Sequence, residues 1–290
     1  METAELLKRV RKIEIKSRGL TNQIFSGQYH SAFKGRGMAF SEVREYQFGD
    51  DIRSIDWNVT ARFNHPYVKI FEEERELTVM IMIDVSGSNN FGTRQQLKSQ
   101  KITEIAAVLS FSAIQNNDKV GVIFFSDKIE KFIPPKKGTS HILRIIRELV
   151  DFKPENTTTK ISEPLKFLTN AIKKRCTAFL ISDFIDENFT DAIKIASRKH
   201  DLIGVRIIDF RETEIPDIGL VKFRDFESGK QFWADTSGKE LRNTFNYRWQ
   251  KHEKQLQEIF LKSRIDVATI QTDEDYIKPL MTLFKKRSSR

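Results

Sequence analysis

Residues 77–88 read LTVMIMIDVSGS, an apolar run that ends abruptly on an acid and two hydroxyl residues. Leu77, Val79, Ile81 and Ile83 alternate with Thr78, Met80 and Met82, so both faces of an extended chain are largely apolar. That is the pattern of a central strand covered by helices on either side. The strand ends at Asp84, and in Asp84-Val85-Ser86-Gly87-Ser88 the glycine permits a tight turn while alternate positions carry three oxygen-bearing side chains. A hard divalent ion such as Mg²⁺ takes about six oxygens at roughly 2.0–2.1 Å and keeps some waters. One carboxylate and two hydroxyls therefore make a partial site, whose other ligands must come from elsewhere in the chain.

Working outward, strand and helix patterns alternate. A helix over 95–116 carries the stripe Ile102, Ile105, Ala106, Leu109 and Ala113, and a buried strand follows over 120–125. A short third strand over 129–133 stops at Pro134-Pro135, and helical spacing returns over 140–150. After Asn156-Thr157-Thr158-Thr159-Lys160 comes a helix over 161–173, then the strand 177–181 running into Ser182-Asp183, a helix over 186–198 and a strand over 202–208. Residues 209–235 break into short alternating pieces, which predicts a hairpin at the sheet edge near 219–234. A polar helix over 238–261, a last strand over 265–272 and a closing helix over 276–285 complete the chain.

Upstream of the central strand, 2–18 spaces Leu6, Leu7, Val10, Ile13 and Ile15 as an amphipathic helix that packs on the core. Residues 19–37 are rich in Gly, Ser and aromatics, too aromatic for disorder. Acids and arginines interleave with aromatics over 40–62 as in an ion-paired brace, with a docking surface as the sharper alternative; Arg44, Asp51, Arg53 and Trp57 fit either use. Residues 67–71 alternate like a strand and lead into the acidic run 71–76. The expected fold is α/β, a doubly wound, mainly parallel, Rossmann-like sheet with an N-terminal helix and a small β-rich extension. Residues 1–76 form the extension and 77–290 the main domain.

No run approaches the roughly 18 apolar residues of a membrane span, and the N-terminus lacks the apolar block of a signal peptide, so a cytoplasmic address is expected. The single cysteine, Cys176, has no internal partner and reads as a core thiol. A net charge of +9 invites a nucleic-acid reading, but the basic groups 8–12, 173–175 and 285–287 are separated by stretches as acidic as 71–76, so solvated helix faces explain them and no nucleic-acid partner is expected. The five histidines are too dispersed for a zinc spacing, and no Gly-x-x-x-x-Gly-Lys loop is present to bind ATP.

In an open parallel sheet, ligands gather beyond the carboxyl ends of the strands, where strand order reverses. Asp84 and Asp183 both hold such ends, and the threonine cluster can approach from a loop before a helix. Five oxygen-bearing side chains then converge: Asp84, Ser86, Ser88, Thr159 and Asp183.

At these residues the chain resembles the von Willebrand factor A domain with its metal-ion-dependent adhesion site. Asp84, Ser86 and Ser88 match that family's Asp-x-Ser-x-Ser, and Asp183 its second acid. Thr157 and Thr158 compete with Thr159 for the loop threonine; Thr159 is preferred because Thr159-Lys160-Ile161 best fits the family's Thr-Asp-Leu helix entry. Lys160 and Asn89 depart from that pattern without removing a ligand.

The upstream text SEVREYQFGDDIRSIDWNVTAR, followed by VKIFEEERELTVMIMIDVSGS, resembles the bacterial family called domain of unknown function 58. This resemblance implies a cytosolic companion of MoxR-type AAA+ ATPases, an adaptor or co-chaperone presenting substrates to the motor. The expected function is non-enzymatic: an Mg²⁺ ion (or Mn²⁺ or Ca²⁺) leaves one position open for a carboxylate from a protein partner, and no residue is catalytic. The alternatives are a Mg²⁺-dependent phosphohydrolase with Asp84 as nucleophile, which lacks the second acid at Ser86, and a basic nucleic-acid binder.

Overall fold

The structure, a computed structural model, describes residues 3–21, 39–72, 77–92, 97–225 and 229–289. Expectations placed on 22–37, on the acidic run at 73–76, on the start of the helix at 95 and on the hairpin turn at 226–228 lie outside the described residues. The chain divides into two compact units, Lys34–Leu77 and Met1–Phe33 together with Thr78–Arg290. The first helix thus belongs with the larger unit, whereas the sequence grouped all of 1–76.

In chain order the elements are α1 (Thr3–Leu20), β1 (Ala39–Glu45), α2 (Trp57–Phe63), β2 (Tyr67–Glu72), β3 (Thr78–Asp84), α3 (Lys98–Gln115), β4 (Lys119–Phe125), β5 (Ile129–Lys136), α4 (Thr139–Asp151) and α5 (Ser162–Ala171). Then follow β6 (Thr177–Ser182), α6 (Thr190–Lys199), β7 (Asp201–Ile208), the single turn α7 (Phe210–Thr213), β8 (Leu220–Arg224), β9 (Gln231–Asp235), α8 (Lys239–Lys262), β10 (Asp266–Gln271) and α9 (Ile277–Ser288).

The larger unit is built on a six-stranded sheet of order β10-β7-β6-β3-β4-β5, parallel except for β5. Val79 to Ile83 of β3 have no exposed surface, as an apolar strand covered on both faces requires. Met80 and Met82 point into a core completed by Leu165 and Leu168 of α5, Ile193 of α6 and Leu256 and Phe260 of α8. On the other face α3 packs with α1 and α4. Val10 of α1 is buried there, but Ile15 is 65% exposed and leaves the predicted stripe.

β5 runs further than the expected 129–133, and the hairpin sits elsewhere than expected. β5 is antiparallel to β4 because a link of three residues, closed by the Ser126 N–H on the Lys128 carbonyl at 2.9 Å, is far too short for a parallel crossover. β5 also runs through Pro134 and Pro135, which an edge strand tolerates because its outer side needs no ladder donors. The hairpin β8–β9 is not at the sheet edge: it forms a separate two-stranded sheet, and the edges of the main sheet are β10 and β5.

In the smaller unit β1 and β2 pair antiparallel with an irregularity between Phe40 and Glu42. Arg44 grips both carboxylate oxygens of Asp50 at 2.8 and 2.7 Å, and that contact holds the Asp50 carboxyl below its usual range. Asp51 caps a 3₁₀ turn that includes Arg53, and Asp56 caps α2 through the Asn58 and Val59 N–H groups. These acids are engaged within the unit, as a brace requires. Phe48, Ile52, Trp57 and Phe63 are nevertheless exposed.

Candidate metal centre

From β3 the chain crosses to β4 on one side, and from β6 it crosses to β7 on the other, so the loops after these two adjacent strands diverge. That divergence is the topological switch point of the sheet. Asp84 closes β3 and Asp183 directly follows β6, which brings two acids 99 positions apart in sequence to one crevice. Both are 1% exposed.

The Asp84 carboxylate accepts from the Ser86 N–H at 3.0 Å, the Ser182 hydroxyl at 2.7 Å and the Asn89 amide at 3.3 Å; that amide also donates to the Asp84 carbonyl at 2.8 Å. Burial, then the nearby Asp183 charge, push the Asp84 carboxyl up to about 7, against the hydrogen bonds from Ser86 and Ser182. The Ser86 and Ser88 hydroxyls are 3.1 Å apart; Ser86 bonds Asp84 and Ser88 bonds Asp183, so four of the five predicted residues form one connected chain.

The threonine loop reaches the same place through the Gly87 N–H, which donates to the Thr157 carbonyl at 2.8 Å. Lys160 N–H on the Ser126 carbonyl and Ile161 N–H on the Asp186 carboxylate pin the loop's far side. Thr158 bonds Asp127. Thr159, half-buried, lies two positions beyond the Thr157 contact.

Sequence reasoning missed Lys98, Glu212, Ser182 and Asn89. Lys98 is fully buried at the first turn of α3, and its ammonium bonds Asp183 at 3.0 Å and Glu212 at a shorter distance. Burial alone lowers a lysine's pKa, but here Asp183 and Glu212 override it and hold Lys98 above its usual value; in return Lys98 overrides burial at Asp183 and draws that carboxyl down. Burial of Glu212 outweighs Lys98 and raises its carboxyl. A cation at a helix N-terminus opposes the macrodipole, so Lys98 is where local propensity yields to the site. Its signal was legible: four positions before Ile102 and seven before Ile105, it occupies the apolar stripe.

The donor set fits a hard divalent cation. Asp84 and Asp183 offer carboxylate oxygens, and Ser86 and Ser88 hydroxyls, the hard oxygen donors such an ion takes. Among the described residues no three His, Cys, Asp or Glu side chains gather as a metal-holding group, so an ion here depends on two acids and hydroxyls. The other chemically notable pair is inert. Cys176 Sγ and His200 Nδ1 lie 3.3 Å apart at the opposite end of the sheet, both buried, and burial pushes the thiol up to about 12 and the imidazole down to about 4.

Comparison with known proteins agrees with the architecture. Uncharacterized protein Rv1480 of Mycobacterium tuberculosis is 25% identical over 99% of this chain and 91% of its own length. YeaD of Bacillus subtilis is 25% identical over 42% of this chain and 27% of its own. The conserved hypothetical protein BatB of Bacteroides thetaiotaomicron shares the fold with a TM-score of 0.50 at 18% identity, covering 74% of this chain and all of that one. Among the described residues no helix is long and apolar enough to cross a membrane. The model of the family described as protein of unknown function DUF58 matches residues 42–255, and the chain accordingly belongs to the DUF58 family.

Proposed function

We propose that the chain is a non-enzymatic adaptor with a von Willebrand factor A-like site, which binds a protein partner through a divalent cation held by Asp84, Ser86, Ser88, Thr159 and Asp183. The observation that carries the reading is the connected run Asp84–Ser86–Ser88–Asp183 at the sheet's switch point, two buried acids bridged by hydroxyls. Neutral hydroxyl ligands give up less charge to the ion than further carboxylates would, which leaves it able to take an incoming carboxylate at an open position. The partner supplies that acid, and in keeping with the family resemblance a MoxR-type AAA+ ATPase is the proposed companion, in the cytoplasm.

Hydrolytic use of Asp84 is the weaker reading. Its carboxylate is buried and already engaged by Ser86, Asn89 and Ser182, and Ser86 stands where a general acid is needed. The test is a pull-down from lysate with and without Mg²⁺, comparing wild type with Asp84→Ala. The adaptor reading expects capture that needs both the ion and Asp84, with no turnover of generic phosphate esters; capture that persists in excess EDTA would overturn it.

A further inference from the structure

From Leu202 to Ile208 every residue of β7 is buried, and all are apolar but Arg206, which is 3% exposed. Its side chain crosses to α8, where Nη1 pairs with Glu253 and the guanidinium lies 5.4 Å from the centre of the Trp249 ring. Nη2 is buried with no hydrogen-bond partner among the described residues. A buried ion pair adds little stability over apolar side chains of similar volume, and an unsatisfied buried donor subtracts from it. The stability of the core therefore does not explain Arg206.

Its remaining donor, Nε, bonds the main-chain carbonyl of Asp183 at 3.2 Å. The loop that begins there is strained: Phe184 has a φ of 61°, a left-handed backbone that a bulky side chain adopts only where its surroundings impose it. Besides Arg206, Ser182 Oγ accepts from the Phe184 N–H at 3.1 Å, and the same hydroxyl donates to Asp84 at 2.7 Å. From α8, His252 bonds the Phe184 backbone, and the Phe184 ring stands edge-on to Phe260 at 5.1 Å. Within the turn so formed, Asp183 Oδ1 accepts from the Ile185 N–H at 3.1 Å and Oδ2 from Lys98 at 3.0 Å. The loop's outer side is open, since Ile185 is 45% exposed and borders an apolar groove of about 1180 Å³ between α8 and β8–β9, whose lining includes Ser88. Grips from β7 and α8, rather than packing on that side, fix where Asp183 stands.

We propose that Arg206, braced on α8 by Glu253, is a positioning residue of the centre: it holds the Asp183–Phe184 turn in its left-handed form and so keeps the Asp183 carboxylate in place to share a divalent cation with Asp84. The inference rests on the reading of the centre as a cation site and extends it to a side chain outside the five ligands. Contacts that orient a ligand from behind typically carry about 10–100-fold of metal affinity.

The test titrates the metal-free full chain with MnCl₂ by isothermal calorimetry and follows amide hydrogen exchange by mass spectrometry, each variant first checked by circular dichroism and urea unfolding. Arg206→Gln should bind Mn²⁺ at least about tenfold more weakly than wild type, and Arg206→Lys, which keeps a donor and the charge, should recover part of the loss. Without any ion, the peptide over 183–189 should exchange faster in Arg206→Gln while the peptide over β3 keeps its protection, because the Phe184 and Ile185 N–H groups report the turn. Glu253→Gln loosens the brace from its partly exposed end, is the milder change for folding, and should weaken Mn²⁺ binding by a smaller factor. Gly121→Ala is the control: its added Cβ crowds Met80 and Pro135 and loosens the same sheet away from the turn, so Mn²⁺ affinity should stay at the wild-type value. Wild-type affinity in both Arg206→Gln and Glu253→Gln, or an equal loss in Gly121→Ala, would overturn the positioning role and leave the centre standing. A wild-type chain without saturable Mn²⁺ binding would overturn the reading of the centre and this role with it.

Discussion

Lys98 sets the charge balance of the centre. Its ammonium is buried against Asp183 and Glu212, so removing it leaves one buried and one partly buried carboxylate without their counter-ion. Breaking a buried pair from one side costs about 3–5 kcal/mol. Lys98→Met should therefore lower the unfolding midpoint markedly in EDTA, and Mg²⁺ should restore more of that loss than it adds to wild type; thermal unfolding with and without the ion measures both. A variant as stable as wild type in EDTA would show that the ammonium is not the counter-ion. His200 makes a separate prediction at the far end of the sheet. Burial holds its folded pKa down at about 4, below the usual 6.5, so the unfolded chain takes up the proton first as pH falls. The stability it confers is complete above about pH 6.5 and is lost on acidification toward 4, by about 3 kcal/mol. Urea unfolding at pH 7 and pH 4.5 should show His200→Gln losing less stability on acidification than wild type; equal losses would contradict the assignment.

At the scale of elements, the close packing of β4 against its neighbours is testable at Gly121. A Cβ there meets Met80 Sδ at 2.7 Å and the Pro135 backbone nitrogen at 2.9 Å, and backbone does not yield as a flexible side chain does. Gly121→Ala should destabilise by about 1–3 kcal/mol in urea unfolding; an unchanged midpoint would mean that β5 moves aside freely. The same corner shows why parts of the fold escaped the sequence. The apolar run before Asp84 and the stripes of α3 and α4 were readable because burial on one or both faces leaves a period in the text. The eight residues of β5 look alike in either direction, and only the three-residue link from β4 marks which way the strand runs. The hairpin's two strands were legible from their alternation, but their detachment from the main sheet was not, since the partner of an apolar face leaves no mark in the sequence. Within the centre, Asp84, Ser86, Ser88 and Asp183 were readable from spacing and strand ends. The place of Lys98 on the apolar stripe was legible, but its pairing with Glu212 was not, because that pairing spans 114 positions. Ser182 and Asn89 act through contacts that only the folded loops create.

At the scale of the whole molecule, the larger unit places an acid-hydroxyl centre and an apolar groove on the same side of one sheet, and the braced unit Lys34–Leu77 carries its own exposed Phe48, Ile52, Trp57 and Phe63. Cysteine chemistry has no place in this arrangement: Cys176 is buried and its thiol pushed up to about 12, so thiol-directed reagents should leave the native protein unmodified and unfolding should expose one reactive thiol, as a colorimetric thiol assay would show. The account stands or falls with the cation. Isothermal titration of the metal-free chain with MgCl₂ and MnCl₂ is the most direct measurement. One saturable site is predicted, lost in Asp84→Ala and in Ser88→Ala while circular dichroism stays native. No saturable binding at millimolar ion, or binding that Asp84→Ala leaves unchanged, would contradict the claim that these two buried acids and their hydroxyls hold a divalent ion.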